Sequence, residues 1–323
     1  MKNSIVSILC LLTLLIGICS CASTPKIKKS VIEEREERMF WEINSPTGTK
    51  IYVLGSVHVG NEETAKIDPL VMEAFLTADC RYGELSLTDI LSMEQYIMQV
   101  VADTLVLDKE GKNVPVYYFL TEEETAFLIN LCKIYLDEEY SEEVFITLSL
   151  LPPWYWNNML DSIATEVAGY NSSLGVDMVL YSKAMENNLE VLGLDTVESQ
   201  IDVLTFGSLE DQIALLKLNI ENLQQDDWDK NINDTLNYYL ANDKEGLTKV
   251  LTASDEITDL DQEYNDQFLV TLIDERNRLW ADKFASMLQE ENKTYFVFAG
   301  AAHWLYSPTV FELLEQDGLL KWK

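Results

Sequence analysis

Residues 50–58 read Lys-Ile-Tyr-Val-Leu-Gly-Ser-Val-His, and the fold follows from them. Ile51 to Val57 carry no charge and are rich in β-branched and aromatic side chains, the composition of a buried strand. Just upstream, Phe40-Trp41-Glu42-Ile43 reads as another strand, and Ser45-Pro46-Thr47-Gly48 is a turn, so the two strands form a hairpin. Downstream, Asp68-Pro69 opens a helix with Pro at its first position and Val71 and Phe75 on one stripe. Cys80 to Leu87 returns as a strand that carries Glu84. Strand, helix and strand make a β-α-β unit, which sets neighbouring strands parallel.

Farther out, the pattern changes to helices. Residues 88–165 read as helical, with Thr121-Glu122-Glu123-Glu124 as a capping box. Leu151-Pro152-Pro153 breaks the chain, and Trp154-Tyr155-Trp156 either lines a cleft or, as is favoured, marks a corner where helices pack. Gly169 to Ser173 is a loop, Val176 to Asn187 a helix, and Leu189 to Leu194 a strand that ends at Asp195. Helices resume over 197–252, and 253–264 is an acidic loop. Asp266 to Gln289 reads as one long helix, with Leu269, Ile273, Trp280, Phe284 and Met287 at helical spacing. Thr294 to Ala299 is a strongly apolar strand, Val310 to Leu314 a helix closed by Gly318, and Leu319 to Trp322 a last short strand. Strands at both ends and helices between them predict an α/β fold. A central mixed β-sheet, in one domain over 39–323, carries a large helical insertion at about 88–170 and 197–265.

Composition removes several functions. The chain has 323 residues, with 55 Asp and Glu against 23 Lys and Arg, for a formal net charge of −32. Nucleic acid is excluded as a partner, because phosphate backbones need clustered Lys and Arg. Adhesion to anionic lipid through a basic patch is excluded for the same reason. Hydrophobic residues at 47% and aromatics at 10% rule out a disordered acidic polymer.

The first 20 residues read as an address. Met1-Lys2-Asn3 precedes an apolar run from Ile5 to Ile18, which is the layout of a signal peptide. Ile18-Cys19-Ser20-Cys21-Ala22 resembles the bacterial lipoprotein box. That resemblance implies cleavage before Cys21, acylation of Cys21, and anchoring of the chain to a lipid bilayer on the extracytoplasmic side. Ala22 resembles outer-membrane sorting. Residues 21–38 are then a polar tether, with Val31 to Arg38 suited to a helix. Cys80 and Cys132 lie in no Cys-x-x-Cys pair, so no thiolate zinc site is expected. Two buried free thiols are favoured over a disulfide.

His58 and His303 are the only histidines, and their contexts match. Each ends a Gly-x-x-His motif that follows a buried strand, Gly55-Ser56-Val57-His58 and Gly300-Ala301-Ala302-His303. Side chains at the carboxyl ends of parallel strands face the crevice where α/β folds hold ligands. The pair therefore points to one shared site. Imidazole suits divalent transition metals, and catalytic metal sites commonly add a carboxylate. Glu84 is the first carboxylate candidate and Asp195 the second. Arg276 lies on the apolar stripe of its helix with Trp280 and Phe284, so it needs a buried partner. It is suited to hold a site carboxylate, to stabilise an oxyanion or to make a structural salt bridge. Asn277 beside it is a weaker candidate.

These residues resemble the TraB/GumN family, the PrgY-like pheromone-shutdown proteins, which are related to the Tiki proteases. The resemblance rests on Phe40 to Ile43, Tyr52 to Gly60, Tyr82-Gly83-Glu84, Gly175-Val176-Asp177, Leu192 to Gln200, Asp274 to Ala281 and Phe298 to Leu305, in that order. It implies a fold like that of the erythromycin-esterase and ChaN-like proteins. It also implies a metal-dependent hydrolase, most naturally a peptidase, with His58, Glu84 and His303 at the site and Arg276 in support. On this reading Mn, Co, Zn or Fe is the cofactor, and a peptide or small molecule is the substrate. A metal-free variant would use His as general base with Glu84 orienting it. The alternatives are a non-catalytic lipoprotein that binds haem, iron or peptide, and a peptide-sequestering protein with a decayed site. Two positions depart from the family pattern. Asp195 stands where the family usually has Glu, and the bulky Trp304 follows the second motif.

Overall fold

The computed structural model describes residues 28–135, 142–253 and 262–323. The leader, Cys21 and most of the acidic loop lie outside the described residues. The hairpin is present: β2 (Phe40–Asn44) runs antiparallel to β3 (Lys50–Ser56). α1 (Pro69–Thr77) follows, capped by the Asp68 carboxylate, which accepts from the Leu70 N–H. β4 (Cys80–Gly83) then returns. Arg81 on β4 is buried, and its guanidinium donates to the carbonyls of Phe75, Leu76 and Ala78, closing the last turn of α1.

The helical middle begins with α2 (Leu87–Asp103), α3 (Glu122–Tyr135), α4 (Glu142–Leu148), α5 (Pro153–Val167) and α6 (Val176–Glu186). The short β5 (Leu192–Gly193) interrupts it, and α7 (Val197–Leu204), α8 (Leu209–Asn222), α9 (Lys230–Leu240) and α10 (Lys244–Ala253) follow. Thr121 and Glu124 make the expected reciprocal cap of α3. α3, α4, α5 and α8 share a core of their own around Trp156, Leu128, Phe145 and Leu216. Trp156 is fully buried edge-on to Phe145, so the aromatic run after the double proline is a packing corner.

Among the described residues the sheet has seven strands in the order β5-β4-β6-β3-β2-β1-β7. β6 (Thr294–Gly300) lies between β3 and β4 and is parallel to both. Its unbroken apolar sequence follows from burial on both faces. Phe296 and Phe298 meet Phe75 of α1 edge-on at 5.3 and 6.1 Å. Each such ring, fully buried, stabilises the fold by about 1.5–3 kcal/mol. Beyond β6, α13 (Ala302–Leu305) and α14 (Val310–Gln316) precede β7 (Leu320–Trp322).

Four expectations are corrected. The tether does not extend to residue 38, because Ser30–Glu34 is a strand, β1, paired with β2 and β7. Ile32 is fully buried, and this core contact fixes the segment as strand rather than helix. The strand at Cys80 stops at Gly83, because Ser86 caps α2 three residues later. The strand expected over Leu189–Leu194 keeps its ladder only at Leu192–Gly193. The long helix is interrupted: α11 (Gln262–Leu269) and α12 (Glu275–Met287) are joined by a π-turn at Val270–Asp274. Cys80 and Cys132 are both free; Cys132 is buried and Cys80 half-buried. No helix among the described residues is long and apolar enough to cross a membrane.

Candidate functional site

The parallel register sets the site. Ser56 of β3 stands opposite Gly300 of β6, so both Gly-x-x-His motifs leave the sheet side by side. His58 lies just past β3, Glu84 past β4 and Asp195 past β5, while His303 sits in α13 after β6. All four are at carboxyl ends of the parallel strands. The Asp195 N–H donates to the Glu84 carbonyl at 2.7 Å, which ties two of these ends together.

Gly300 explains why the motif needs glycine. A Cβ on Gly300 would stand 3.2 Å from Glu84 Oε1, 3.6 Å from His58 Nε2 and 3.9 Å from His303 Cδ2. The missing side chain keeps open the notch on which the two imidazoles and the carboxylate converge. The Gly300 N–H also donates to Glu84 Oε1 at 2.8 Å.

Arg276 supports this cluster from behind. It is buried on α12, with Nε donating to Asp195 Oδ2 at 2.7 Å and Nη2 to Glu84 Oε2. Its Nη1 donates to the Leu272 carbonyl, inside the π-turn, at 3.0 Å. Each of its three nitrogens makes one hydrogen bond, two of them to site carboxylates, so Arg276 holds Glu84 and Asp195 in place. The Trp280 indole donates to Asp195 Oδ1 at 2.7 Å, and Gln200 donates to both Asp195 and Glu84. Burial acts against charge on Glu84, but Arg276, the two imidazoles and the Gly300 N–H outweigh it. They hold the carboxyl well below the usual carboxylate range. Burial pushes Asp195 up, and Arg276 and the Trp280 N–H draw it back only in part. Asp195 accepts from three donors, which is the bonding of an ionised carboxylate. It anchors Arg276 and does not line the cavity in front of His58.

The two histidines occupy opposite environments. His303 is buried against Trp280, with ring centroids 4.0 Å apart. Its Nδ1 is 2.7 Å from Asn277 Oδ1, while Asn277 Nδ2 donates to the Pro308 carbonyl. The amide orientation therefore assigns the proton to Nδ1 and leaves Nε2 with a lone pair. Burial lowers its pKa to about 3, so the ring is neutral at pH 7. His58 is 63% exposed at its side chain. Its Nδ1 is 2.8 Å from Asp177 Oδ2 and its Nε2 is 3.7 Å from Glu84 Oε1. The Asp177 carboxylate, foremost, raises it to about 9.

Asp177 was not among the expected site residues, although Gly175-Val176-Asp177 was among the motifs. Its place is set by backbone docking. The Val176 N–H donates to the Val57 carbonyl at 2.9 Å, and a Cβ on Gly175 would come within 2.4 Å of the His58 carbonyl. Gln200 likewise ends the Leu192–Gln200 stretch of the resemblance without being named as a site residue. Trp304 points away from the site into the core, stacked on Phe311 at 5.3 Å, and leaves the cavity unobstructed.

The cavity in front of His58 and Glu84 is about 230 Å³, and His303, buried behind Gly300, is not among the residues that line it. His58, Glu84, Asp177 and Gln200 are its polar lining, and Leu85, Ile90, Met93 and Phe298 are among its apolar lining. Among the described residues no group of three or more His, Cys, Asp or Glu side chains forms a ready-made metal site. The donor chemistry nonetheless fits a divalent transition metal. Each imidazole is held through Nδ1, the arrangement common to metal-binding histidines. His58 Nε2 and Glu84 Oε1 stand 3.7 Å apart. Two ligands about 2.1 Å from one ion span a similar distance, roughly 3.0–3.5 Å. Ser56 Oγ and Asp177 Oδ1 are buried at this end of the sheet without a hydrogen-bond partner.

The fold and cluster define an α/β protein with paired strand-end histidines around a buried carboxylate and arginine. The chain belongs to the TraB/PrgY/gumN family, whose model matches residues 39–320. It is similar to an uncharacterized protein of Treponema pallidum (strain Nichols), 27% identical over 316 residues, which cover 97% of this chain and 91% of that protein. No solved structure matches the chain.

Proposed function

We propose that this chain is a lipid-anchored, extracytoplasmic hydrolase of peptide bonds, with its reaction centre at His58, Glu84 and His303. The supporting observation is the convergence of both Nδ1-tethered imidazoles and Glu84 on the notch at Gly300. A divalent ion of Mn, Co, Zn or Fe would be held by these three residues, and would supply Lewis acidity and a water acidified toward neutral pH. The chain's own groups account for the rest. Arg276 keeps Glu84 ionised, so it is ready to bind a cation. Asn277 keeps His303 in one tautomer with its lone pair available. Asp177 orients the His58 ring. The apolar residues of the lining, Leu85, Ile90, Met93 and Phe298, would offer a substrate a surface poor in water. A cavity of about 230 Å³ favours this compact centre over a haem pocket, since ordinary small-molecule sites run to about 300–1,000 Å³.

The experiment is metal analysis of the full chain in detergent, wild type beside His58→Ala and His303→Ala, with titration by Mn, Co, Zn and Fe. Near-stoichiometric metal in the wild type and loss in both variants is expected. No metal under any titration, with all three proteins folded, contradicts the proposal.

A further inference from the structure

A cavity larger than the one at His58 lies away from the histidines. It is a groove of about 930 Å³ walled by α5, α8, α9 and α10. Asp161 projects from α5, Asn222 from α8, and Asn231 and Tyr238 from α9, while Trp228 lines it between α8 and α9. We propose that this groove binds a neutral oligosaccharide.

The chemistry of the lining selects that class. Carboxylates and carboxamides accept and donate as sugar hydroxyls require, and the aromatic rings supply flat apolar surface for the C–H face of a pyranose. Asp161, Asp227 and Asp234 outnumber Lys230 and Lys249 in the groove, and arginine is absent from its lining, so phosphates and other anions are disfavoured. The walls are helices and the turn between α8 and α9, so an extended peptide finds no strand edge to pair with. The frame is rigid. Tyr238 lies so close to Gly246 of α10 that a Cβ there would come within 2.3 Å of its ring. Asn233 on α9 accepts from the Tyr170 hydroxyl at 2.6 Å and donates to Asp229 at 2.9 Å. The site is independent of the proposed hydrolase centre, although Tyr239, next to Tyr238, donates to the Gly55 carbonyl of the His58 strand.

The test is calorimetric and fluorescence titration of the full chain in a polyoxyethylene detergent, which carries no sugar. The probes are an N-acetylglucosamine tetrasaccharide, maltopentaose and an uncharged hexapeptide. Saturable binding of at least one sugar is expected, weakened about tenfold or more by Trp228→Ala and largely kept by Trp228→Phe. Asp161→Asn and Asn231→Ala, at accessible positions, should each weaken it, and His58→Ala should leave it unchanged. Failure of both sugars to bind the wild type overturns the proposal. So does equal binding by Trp228→Ala and the two accessible-site variants, or binding of the hexapeptide in place of the sugars.

Discussion

At the scale of single residues, the charge state of the cluster is set by buried partners. Arg276 is the residue on which this depends most, because it neutralises both Glu84 and Asp195 inside the protein. Removing it leaves two buried carboxylates uncompensated. Arg276→Met should therefore destabilise the chain by about 3–5 kcal/mol in denaturant unfolding. Arg276→Lys should recover only part of that, since one ammonium cannot reproduce the fork. The histidines titrate in opposite senses in metal-stripped protein. His58 is raised from 6.5 to about 9, so its pairing with Asp177 stabilises fully below pH 6.5 and fades as pH rises through 9. The pairing is partly open to solvent, so the effect is small. His303 is lowered from 6.5 to about 3, so it favours the folded state above pH 6.5, and that contribution is lost as pH falls toward 3. Denaturant midpoints followed across pH should thus fall less steeply between pH 6.5 and 3 in His303→Gln than in wild type. They should fall less between pH 7 and 9 in Asp177→Asn. Equal slopes in variant and wild type would contradict these assignments.

At the scale of elements, the strand ends and the glycines beside them make the site. Gly300→Ala would place a methyl group in the notch, 3.2 Å from Glu84 Oε1. The strand should still form, at a cost of no more than about 1–3 kcal/mol, while metal uptake is abolished. Normal uptake in that variant would separate the notch from the function. Much of this arrangement was legible in the sequence. The two Gly-x-x-His motifs each follow an apolar strand, and Arg276 sits on an apolar helical stripe where only a buried partner could justify it. β1 was not legible. Ser-Val-Ile-Glu-Glu is short and acidic, and it becomes a strand through the burial of Ser30 and Ile32, its ladder with β2 and its pairing with β7 from the far end of the chain. The π-turn at Val270–Asp274 was likewise hidden, because one extra residue barely disturbs the hydrophobic period. Asp177 was quoted within a motif, but its role depends on the docking of α6 against the His58 backbone, a contact across more than a hundred residues.

At the scale of the whole molecule, the sheet and four of the inserted helices, α3, α4, α5 and α8, keep separate cores, while Tyr239 of α9 and Leu247 of α10 pack into the sheet core. Trp156→Ala empties the centre of the insertion and should cost about 3–5 kcal/mol, yet metal binding by the folded fraction should be unchanged, since distant sites act independently. A matching loss of metal affinity would show that the insertion shapes the centre. The mixed sheet with strands from both chain ends was legible from the order of apolar segments. The separate helical core was not, because helical periodicity tells which face is buried and not which helix buries it. The account stands most directly on the role of Glu84, the carboxylate between the two histidines. The decisive measurement is cleavage of a peptide library by the metal-supplemented full chain beside Glu84→Gln. The wild type should cut and Glu84→Gln should lose at least about a hundredfold in rate, the scale of a positioned acid–base or ligand group. Undiminished cleavage by Glu84→Gln, or none by the metal-loaded wild type, would contradict the account.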